Sequence, residues 1–271
     1  MKNLIYQYWN GNIRPSCKAG VKNMKEYANR IGAEHIFEEN PNWMKKLGMG
    51  HLPKASYFDC FKPVFDTSFD EYDNILSCDT DIFAVEGLTE NIFEGFNHDI
   101  GICDEPFQPK QRTITLGHIT SDRDNKWANL IEKTYGSKMP RTEDGLLRVY
   151  NAGLVLYSRK GINKVREQFE KFDSYAKLII NAGFSAFYSS DQAWLHAMIF
   201  SKDIDVLEMD NGWNSYIHGT KDIYQPKRRI VDHRDENTKF VHCQFPGADD
   251  MTEEQLLKVV NLPREQWGYD I

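Results

Sequence analysis

The sequence lacks the cysteine pattern of a disulfide framework or of a zinc ribbon. It has an odd number of cysteines, five, and no two of them have C-x-x-C spacing. Reduced thiols in a cytoplasm explain this usage better than paired cystines do. The five are Cys17, Cys60, Cys78, Cys103 and Cys243.

Long apolar runs are also missing. None approaches the roughly 20 residues that a helix needs to cross a bilayer, and the start from Met1 to Gln7 is too short and too polar for a signal peptide. We therefore expect a cytoplasmic protein with no integral membrane segment.

Basic residues are not in excess. The 33 Lys and Arg face 40 Asp and Glu, which gives a formal net charge of −7. Nucleic-acid binders draw affinity from basic side chains on phosphates, so this balance argues against a nucleic-acid partner. It does not exclude one small anionic ligand, because a bound cation can reverse the local field.

What the chain does have is a core and an alternating pattern. Apolar residues make up 41% and aromatics 13% of the 271 residues, with no linker or repeat. Apolar strands alternate with helical segments, which predicts an α/β fold with a mostly parallel, helix-covered sheet in a single domain. The predicted strands are 4–8, 35–37, 74–78, 100–103, 153–157, 204–207 and 239–242. The predicted helices are 15–31, 54–69 with a break at Pro63, 127–135, 162–181 and 190–200, with a long loop over 105–124.

Asp79-Thr80-Asp81 is the sharpest chemical signal. It follows the buried strand 74–78, and ligands of open α/β sheets sit beyond the carboxyl ends of the strands. Residues i and i+2 of an extended segment point to the same side, so both carboxylates can reach one cation. Mg²⁺ and Mn²⁺ prefer oxygen ligands and readily add phosphate oxygens. The motif predicts a divalent metal site, and the alternative is a solvated acidic turn.

His242 is the candidate third metal ligand, because it lies at the end of a late strand. The alternative is an ordinary core or surface histidine. Gly247, five residues later, allows the backbone to approach a phosphate closely.

Three other places offer polar groups. Asn151 begins a run of small residues before a strand, and Asp191-Gln192 opens a helix, where the carboxylate either caps the helix or contacts a ligand. Asp59 and Lys62 share a helix face. They form a local ion pair, or else bind a ligand.

Taken in order, these motifs resemble those of nucleotide-sugar glycosyltransferases of the A-type fold. The resemblance is to retaining families that include glycogenin, bacterial lipopolysaccharide galactosyltransferases and the D-x-D mannosyl- and galactosyltransferases of capsule synthesis. It implies one A-type domain over residues 1–271. Its nucleotide-binding half covers about 1–104, and its acceptor and sugar half about 105–271.

The resemblance also implies a role for each candidate residue. Asp79, Asp81 and His242 hold the metal. The donor is bound by Tyr8, Trp9, Asn10, Asp59, Lys62, Asp79, Thr80 and Gly247. In that group Asp59 and Lys62 face the ribose and a phosphate. Asn151, Asp191 and Gln192 orient the donor sugar near the reaction centre.

The implied activity is transfer of a sugar from a nucleoside diphosphate to an acceptor hydroxyl, with retention and with Mn²⁺ or Mg²⁺ as cofactor. A UDP-sugar is the favoured donor. The acceptor is a glycan, a lipid-linked sugar, a protein or a small molecule, and a lipid-linked acceptor would bring the protein to a membrane surface.

Two other functions fit parts of the sequence. One is a phosphohydrolase of the haloacid dehalogenase kind, in which Asp79 is the nucleophile, Asp81 the acid/base and Asp249-Asp250 a late metal pair. The other is a protein that binds a sugar nucleotide or a carbohydrate without turnover.

Overall fold

Strands and helices alternate along most of the chain in the computed structural model, which describes residues 1–115, 117–224, 227 and 229–268. The strands are β1 (Asn3–Trp9), β2 (Glu34–Glu39), β3 (Asn74–Cys78), β4 (Ile82–Ala84), β5 (Ile100–Asp104), β6 (Tyr150–Ser158), β7 (Val206–Glu208), β8 (Ser215–Thr220), β9 (Arg229–Asp232) and β10 (Phe240–Gln244). The helices are α1 (Pro15–Ile31), α2 (Trp43–Lys46), α3 (Lys62–Phe65), α4 (Gln108–Gln111), α5 (Ser121–Tyr135), α6 (Arg159–Gln168), α7 (Phe172–Asn181), α8 (Asp191–Ile199) and α9 (Glu253–Asn261).

The larger sheet has six strands in the order β2-β1-β3-β6-β5-β7. Only β6 runs against its neighbours β3 and β5, while the other pairings are parallel. All five residues of β3 are buried, which explains its continuous apolar run. The predicted class, an α/β fold with a mostly parallel sheet, is confirmed.

A second sheet of four strands, in the order β4-β10-β8-β9, was not predicted. In it β10 pairs with β4 so that His242 lies opposite Ile82. Because β4 starts directly after Asp81, this pairing brings a histidine from late in the chain beside the aspartates that follow β3.

Three predicted segments differ from the structure. The helix over 54–69 is three short pieces, a 3₁₀ segment Ala55–Phe61, α3 and a 3₁₀ segment Thr67–Phe69, since Pro63 at the start of α3 has no N–H to continue a helix. The helix over 162–181 is two helices, because Phe169 is extended (ψ 139°). The loop over 105–124 contains α4 and ends earlier, where Thr120 caps α5.

Within the described residues, no helix is both long enough and apolar enough to cross a membrane.

Candidate active site

The Asp79–Asp81 turn leaves the sheet at the carboxyl end of β3 and is anchored through its backbone on both sides. The Asp79 N–H donates to the Gly153 carbonyl of β6 at 2.7 Å, and the Asp81 carbonyl accepts from the Cys243 N–H of β10 at 2.9 Å. Hydrogen bonds to both sheets therefore fix the position of the turn. Both carboxylates are partly exposed to solvent.

His242 points at these carboxylates. Its Nε2 lies 3.2 Å from Asp81 Oδ1 and 3.9 Å from Asp79 Oδ2, and one ligand atom from each residue lies within 4.8 Å of the others. Two ligands at right angles on an ion, each about 2.1 Å away, are about 3 Å apart, so this spacing suits a single divalent cation. Two carboxylates and one imidazole are also a donor set that such ions accept.

The electrostatics of the cluster favour a cation. Although part of the Asp79 side chain reaches solvent, enclosure by the cleft and then the Asp81 charge raise the pKa of its carboxyl. Burial by itself lowers the pKa of His242, but the carboxylates of Asp81 and Asp79 outweigh it and raise that pKa. A divalent ion would take the place of protons bound to these groups and relieve the repulsion between the carboxylates.

A buried hydrogen-bond chain fixes which nitrogen of His242 faces the carboxylates. The Gly153 N–H donates to Asn151 Oδ1 at 2.8 Å, so this atom must be the amide oxygen. Asn214 then has to present its NH₂ to the same oxygen, at 3.2 Å, which turns Asn214 Oδ1 toward His242 Nδ1 at 3.2 Å. Nδ1 therefore carries the proton of the neutral imidazole, and Nε2 carries the lone pair that faces the carboxylates. The Gln244 side-chain amide nitrogen lies 2.9 Å from this Nε2 and donates to it, so a bound metal would displace Gln244.

Glu105 completes this chain from the loop after β5. Its Oε1 accepts from Asn151 Nδ2 at 2.8 Å and from the Tyr216 hydroxyl at 3.2 Å, and the Tyr216 ring stacks on His242 with centroids 5.0 Å apart. All of these side chains are buried. The oxygen and the nitrogen of the Asn151 amide both have protein partners, so Asn151 supports the candidate metal ligand His242 through Asn214.

Two glycines make room for the turn. A Cβ at Gly153 would lie 2.4 Å from Asp79 Oδ2, and a Cβ at Gly20 in α1 would lie 2.0 Å from the Thr80 carbonyl oxygen. Thr80 itself is buried beneath this contact. Side chains at either position would displace the aspartates.

Asp79 and Asp81 line an open cleft of about 440 Å³, and His242 is buried beside them. This volume is within the range of small-molecule sites. The cleft brings together seven predicted site residues from distant parts of the chain. Burial and then the Asp79 charge raise the pKa of the Asp191 carboxyl to about 7. The cleft is lined by Tyr8, Trp9, Asn10, Arg14, Ser56, Tyr57, Asp79, Thr80, Asp81 and Asp191.

The end of β1 forms one wall of the cleft. The Tyr8 hydroxyl donates to the carbonyls of Ser56 and Tyr57 at 3.1 and 3.0 Å, and Asn10 is held by the neighbouring loops. The Trp9 Nε1 has no partner in the described part of the chain. A buried donor without a partner is uncommon and marks a place where a ligand can bond.

Asp59 is not a cleft residue in this structure. It is 1% exposed, and its carboxylate accepts from the N–H groups of Trp43 and Met44, at the start of α2, at 3.2 and 2.8 Å. It also accepts from Asn10 Nδ2 at 2.8 Å. A direct bond from Asp59 to a ribose would break these contacts, so the side chain holds α2 and Asn10 in place.

Lys62 is likewise engaged elsewhere. Its Nζ lies 2.5 and 2.7 Å from the two carboxylate oxygens of Glu38, and Glu38 also accepts from the Tyr6 hydroxyl at 2.7 Å. Lys62 does not line the cleft. It forms its ion pair with Glu38 of β2 and not with Asp59.

The remaining predicted residues lie around the cleft. Gln192 lines a small cavity of about 20 Å³ together with His196. Gly247 has φ +89°, a backbone conformation that favours glycine, and begins the turn that contains Asp249. Asp249 accepts from Arg14 and Ser16 and does not join the metal cluster, so no late metal pair of the phosphohydrolase kind is present among the described residues.

The residues missed at the sequence level are Glu105, Asn214, Tyr216 and Arg14. Three of them belong to the buried chain behind His242, and their partners lie between 2 and 111 residues away. The only local signal was Asn214-Ser215-Tyr216-Ile217, a short polar strand start, which carries no chemistry by itself.

No protein-family model and no curated protein sequence matches the chain. Solved structures do. The galactosyltransferase LgtC in complex with donor and acceptor sugar analogues is 15% identical, with a TM-score of 0.50, and the match covers 98% of this chain and 99% of LgtC. An active-site glutamine-to-glutamate mutant of LgtC is 14% identical over the same shares, with a TM-score of 0.51.

A glycosyltransferase involved in glycosylation of the major capsid of PBCV-1 matches 96% of this chain and 98% of its own, at 10% identity and a TM-score of 0.49. The two LgtC structures establish the fold, at identities too low to establish more. The predicted A-type glycosyltransferase fold is confirmed.

Proposed function

We propose that this protein is a metal-dependent glycosyltransferase that moves a sugar from a nucleoside diphosphate to an acceptor hydroxyl. The observation that carries the proposal is the convergence of Asp79, Asp81 and His242 beside an open cleft that both aspartates line, in a chain with the fold of a galactosyltransferase. A UDP-sugar donor, retention of configuration and Mn²⁺ or Mg²⁺ follow from the resemblance of the motifs.

Asp79, Asp81 and His242 would hold the cation, and a cation there supplies Lewis acidity that stabilises a departing diphosphate. The carboxylates offer anionic oxygens, and His242 offers its Nε2 lone pair while Asn214 holds the Nδ1 proton. The tautomer of His242 is set before the ligand arrives, and a cation would take the place of the Gln244 amide at Nε2.

The nucleotide would lie along the end of β1, where Tyr8, Trp9 and Asn10 line the cleft and Trp9 has a free indole N–H. Asp191, which also lines the cleft, would orient the donor sugar by binding its hydroxyls, and Gln192 follows Asp191 on the same helix. Positioning of donor and acceptor would supply most of the rate enhancement.

The acceptor would be a glycan, a lipid-linked sugar, a protein or a small molecule. LgtC was solved with analogues of both donor and acceptor sugars, which supports a sugar hydroxyl as the nucleophile here. We propose a cytoplasmic location, peripheral to a membrane if the acceptor is lipid-linked.

A thermal-shift screen with UDP-, GDP- and CMP-sugars, with and without Mn²⁺, tests the proposal. A ligand that binds only the native state raises the apparent melting temperature by mass action. We expect at least one nucleoside diphosphate sugar, a UDP-sugar first, to raise it only when Mn²⁺ is present. Asp79→Asn and Asp81→Asn should remove that shift, and NMR of the transfer product should show the anomeric configuration of the donor.

The two other functions give different results. Metal-dependent release of inorganic phosphate from sugar phosphates without an acceptor would indicate a phosphohydrolase. Binding of a sugar nucleotide without turnover over a broad acceptor panel would indicate a binding protein. Absence of any nucleotide-dependent shift would contradict the proposal.

A further inference from the structure

Three carboxyl groups line the cleft, those of Asp79, Asp81 and Asp191. An anionic diphosphate that enters this cleft needs cationic partners, and a metal ion would supply one of them. A neighbouring crevice of about 230 Å³ shares Trp9, Arg14 and Asp81 with the cleft. Among the described residues that line these two spaces, Arg14 is the only lysine or arginine.

Arg14 is held in a definite position. It lies between β1 and α1, and its guanidinium carbon is 5.8 Å from the Trp9 ring centroid. Its Nη1 is paired with Asp249, whose other oxygen accepts from the Ser16 hydroxyl at 3.1 Å. Asp249 thus fixes one arm of the guanidinium from the turn after β10.

The rest of the guanidinium is available. The Arg14 side chain is 56% exposed, and its Nε and Nη2 have no partner in the part of the chain that the structure describes. A guanidinium has five N–H donors in a planar fork that matches two phosphate oxygens, so a pairing through one nitrogen leaves the fork usable.

Lys62, the cation expected to meet a phosphate, has no such freedom. Its ammonium lies against both oxygens of Glu38, its side chain is 16% exposed, and it does not line the cleft.

We propose that Arg14 binds the diphosphate oxygens of the donor opposite the metal cluster, with Asp249 as the positioning residue that holds the guanidinium at the cleft. This inference rests on the proposed function. It assigns the phosphate contact to the segment between β1 and α1, in place of the helix motif that contains Lys62.

The test measures binding of UDP, and of GDP in parallel, by calorimetry in saturating Mn²⁺, with a separate titration of Mn²⁺ alone. Arg14→Met removes the charge and keeps part of the apolar stem. Loss of charge-assisted hydrogen bonds to phosphate should raise the nucleotide Kd about 10- to 100-fold. Binding of Mn²⁺ alone should stay unchanged or become tighter, and Arg14→Lys should recover part of the loss.

Lys22→Met is the matched control. Lys22 lies on α1, is 60% exposed and makes a comparable ion pair, at 2.6 Å, with Glu253. Because it lines neither space around the cluster, this variant should bind nucleotide like the wild type.

The role of Asp249 is tested by a double-mutant cycle. Asp249→Asn should weaken UDP binding in the wild type but have no further effect in the Arg14→Met variant. Equal weakening in both backgrounds would contradict the positioning role.

Wild-type UDP affinity in a folded Arg14→Met variant would overturn the assignment of Arg14 and leave the proposed function standing. Failure of the wild type to bind either nucleotide with Mn²⁺ would overturn both.

Discussion

At the residue scale, the candidate site depends on one imidazole whose proton is placed by its neighbours. The chain from the Gly153 N–H through Asn151 and Asn214 leaves only one tautomer of neutral His242. Such outer partners orient metal ligands, and their loss typically weakens metal binding about 10- to 100-fold.

Asn214→Leu should therefore raise the Kd for Mn²⁺ by about 10- to 100-fold, because Nδ1 of His242 loses its acceptor and the proton can move to Nε2. The Mn²⁺ signal in electron paramagnetic resonance measures free ion directly and gives this Kd. In ¹⁵N NMR, the variant should also show His242 as a mixture of tautomers.

Asn74→Leu is the control for Asn214→Leu. Asn74 is also buried and donates to Asn3, but it lies at the start of β3, away from the carboxyl end that carries the aspartates. The Asn74→Leu variant should be less stable than the wild type but should bind Mn²⁺ with the same Kd. A folded Asn214→Leu variant with wild-type Mn²⁺ affinity would contradict the role of the chain.

Individual site residues differed in how well the sequence predicted them. The convergence of Asp79 and Asp81 was predictable because a buried strand directly before two carboxylates is a local pattern. His242 was expected at the end of a late strand, and it lies within β10, beside the two aspartates. The contacts of Asp59 and Lys62 were not predictable, because their partners, the amides of α2 and Glu38, are set by packing and not by spacing. The same holds for Asn214 and Glu105.

At the element scale, the packing of α1 against the turn after β3 determines where Asp79 and Asp81 lie. Gly20 lets the helix approach until a Cβ there would lie 2.0 Å from the Thr80 carbonyl. The neighbouring atom is backbone that is also held by β6 and β10, so it cannot move aside alone.

Gly20→Ala should lower the free energy of unfolding by about 1–3 kcal/mol, the typical cost of overpacking, and should weaken Mn²⁺ binding by shifting the turn. Urea unfolding and the Mn²⁺ titration measure the two effects. Gly50→Ala is the control, since a Cβ there meets nothing closer than 3.4 Å. Unchanged stability and Mn²⁺ affinity in Gly20→Ala would contradict this packing.

The elements of the large sheet were largely predictable, and those of the second sheet were not. The strand predicted over 74–78 is β3 itself, and α1 ends at Gly32 in the left-handed conformation, as a glycine stop predicts. By contrast β4 has three residues and β9 has four. Such short segments do not show the alternation of apolar and polar residues by which a strand is recognised in a sequence. The break between α6 and α7 has no glycine or proline to signal it.

At the scale of the whole molecule, the core contains histidines that folding keeps neutral. Burial first, and then Arg112 and Arg148, lower the pKa of His196 to about 3. The ring is packed among Trp127, Tyr150 and Phe200, and its Nε2 has no partner in the described part of the chain.

This lowered pKa predicts acid sensitivity. As the pH falls below 6.5, His196 takes up a proton in the unfolded chain but stays neutral in the folded protein until the pH nears 3. Over this range His196 therefore lowers the free energy of unfolding, and above pH 6.5 it has no such effect. At pH 5 the loss is about 2 kcal/mol. In His196→Phe, the fall in unfolding free energy between pH 7.5 and pH 5 should be smaller by about this amount.

Urea unfolding of both proteins at the two pH values measures the difference, and exposed His51→Gln should leave the wild-type fall unchanged. An equal fall in His196→Phe and the wild type would show that His196 is protonated in the folded protein. The comparison with a variant is needed because the raised pKa of Asp191 acts in the opposite direction, favouring the folded state as the pH falls below about 7.

The most direct test of the whole account is a Mn²⁺ titration followed by electron paramagnetic resonance. The wild type should bind one ion per chain, and Asp81→Asn and His242→Leu should each weaken that binding by at least about a hundredfold while remaining folded. Asp205→Asn, which alters an exposed Asp–His contact with His98, should bind like the wild type. Undiminished binding in the Asp81 and His242 variants, or no stoichiometric binding in the wild type, would contradict a shared metal site.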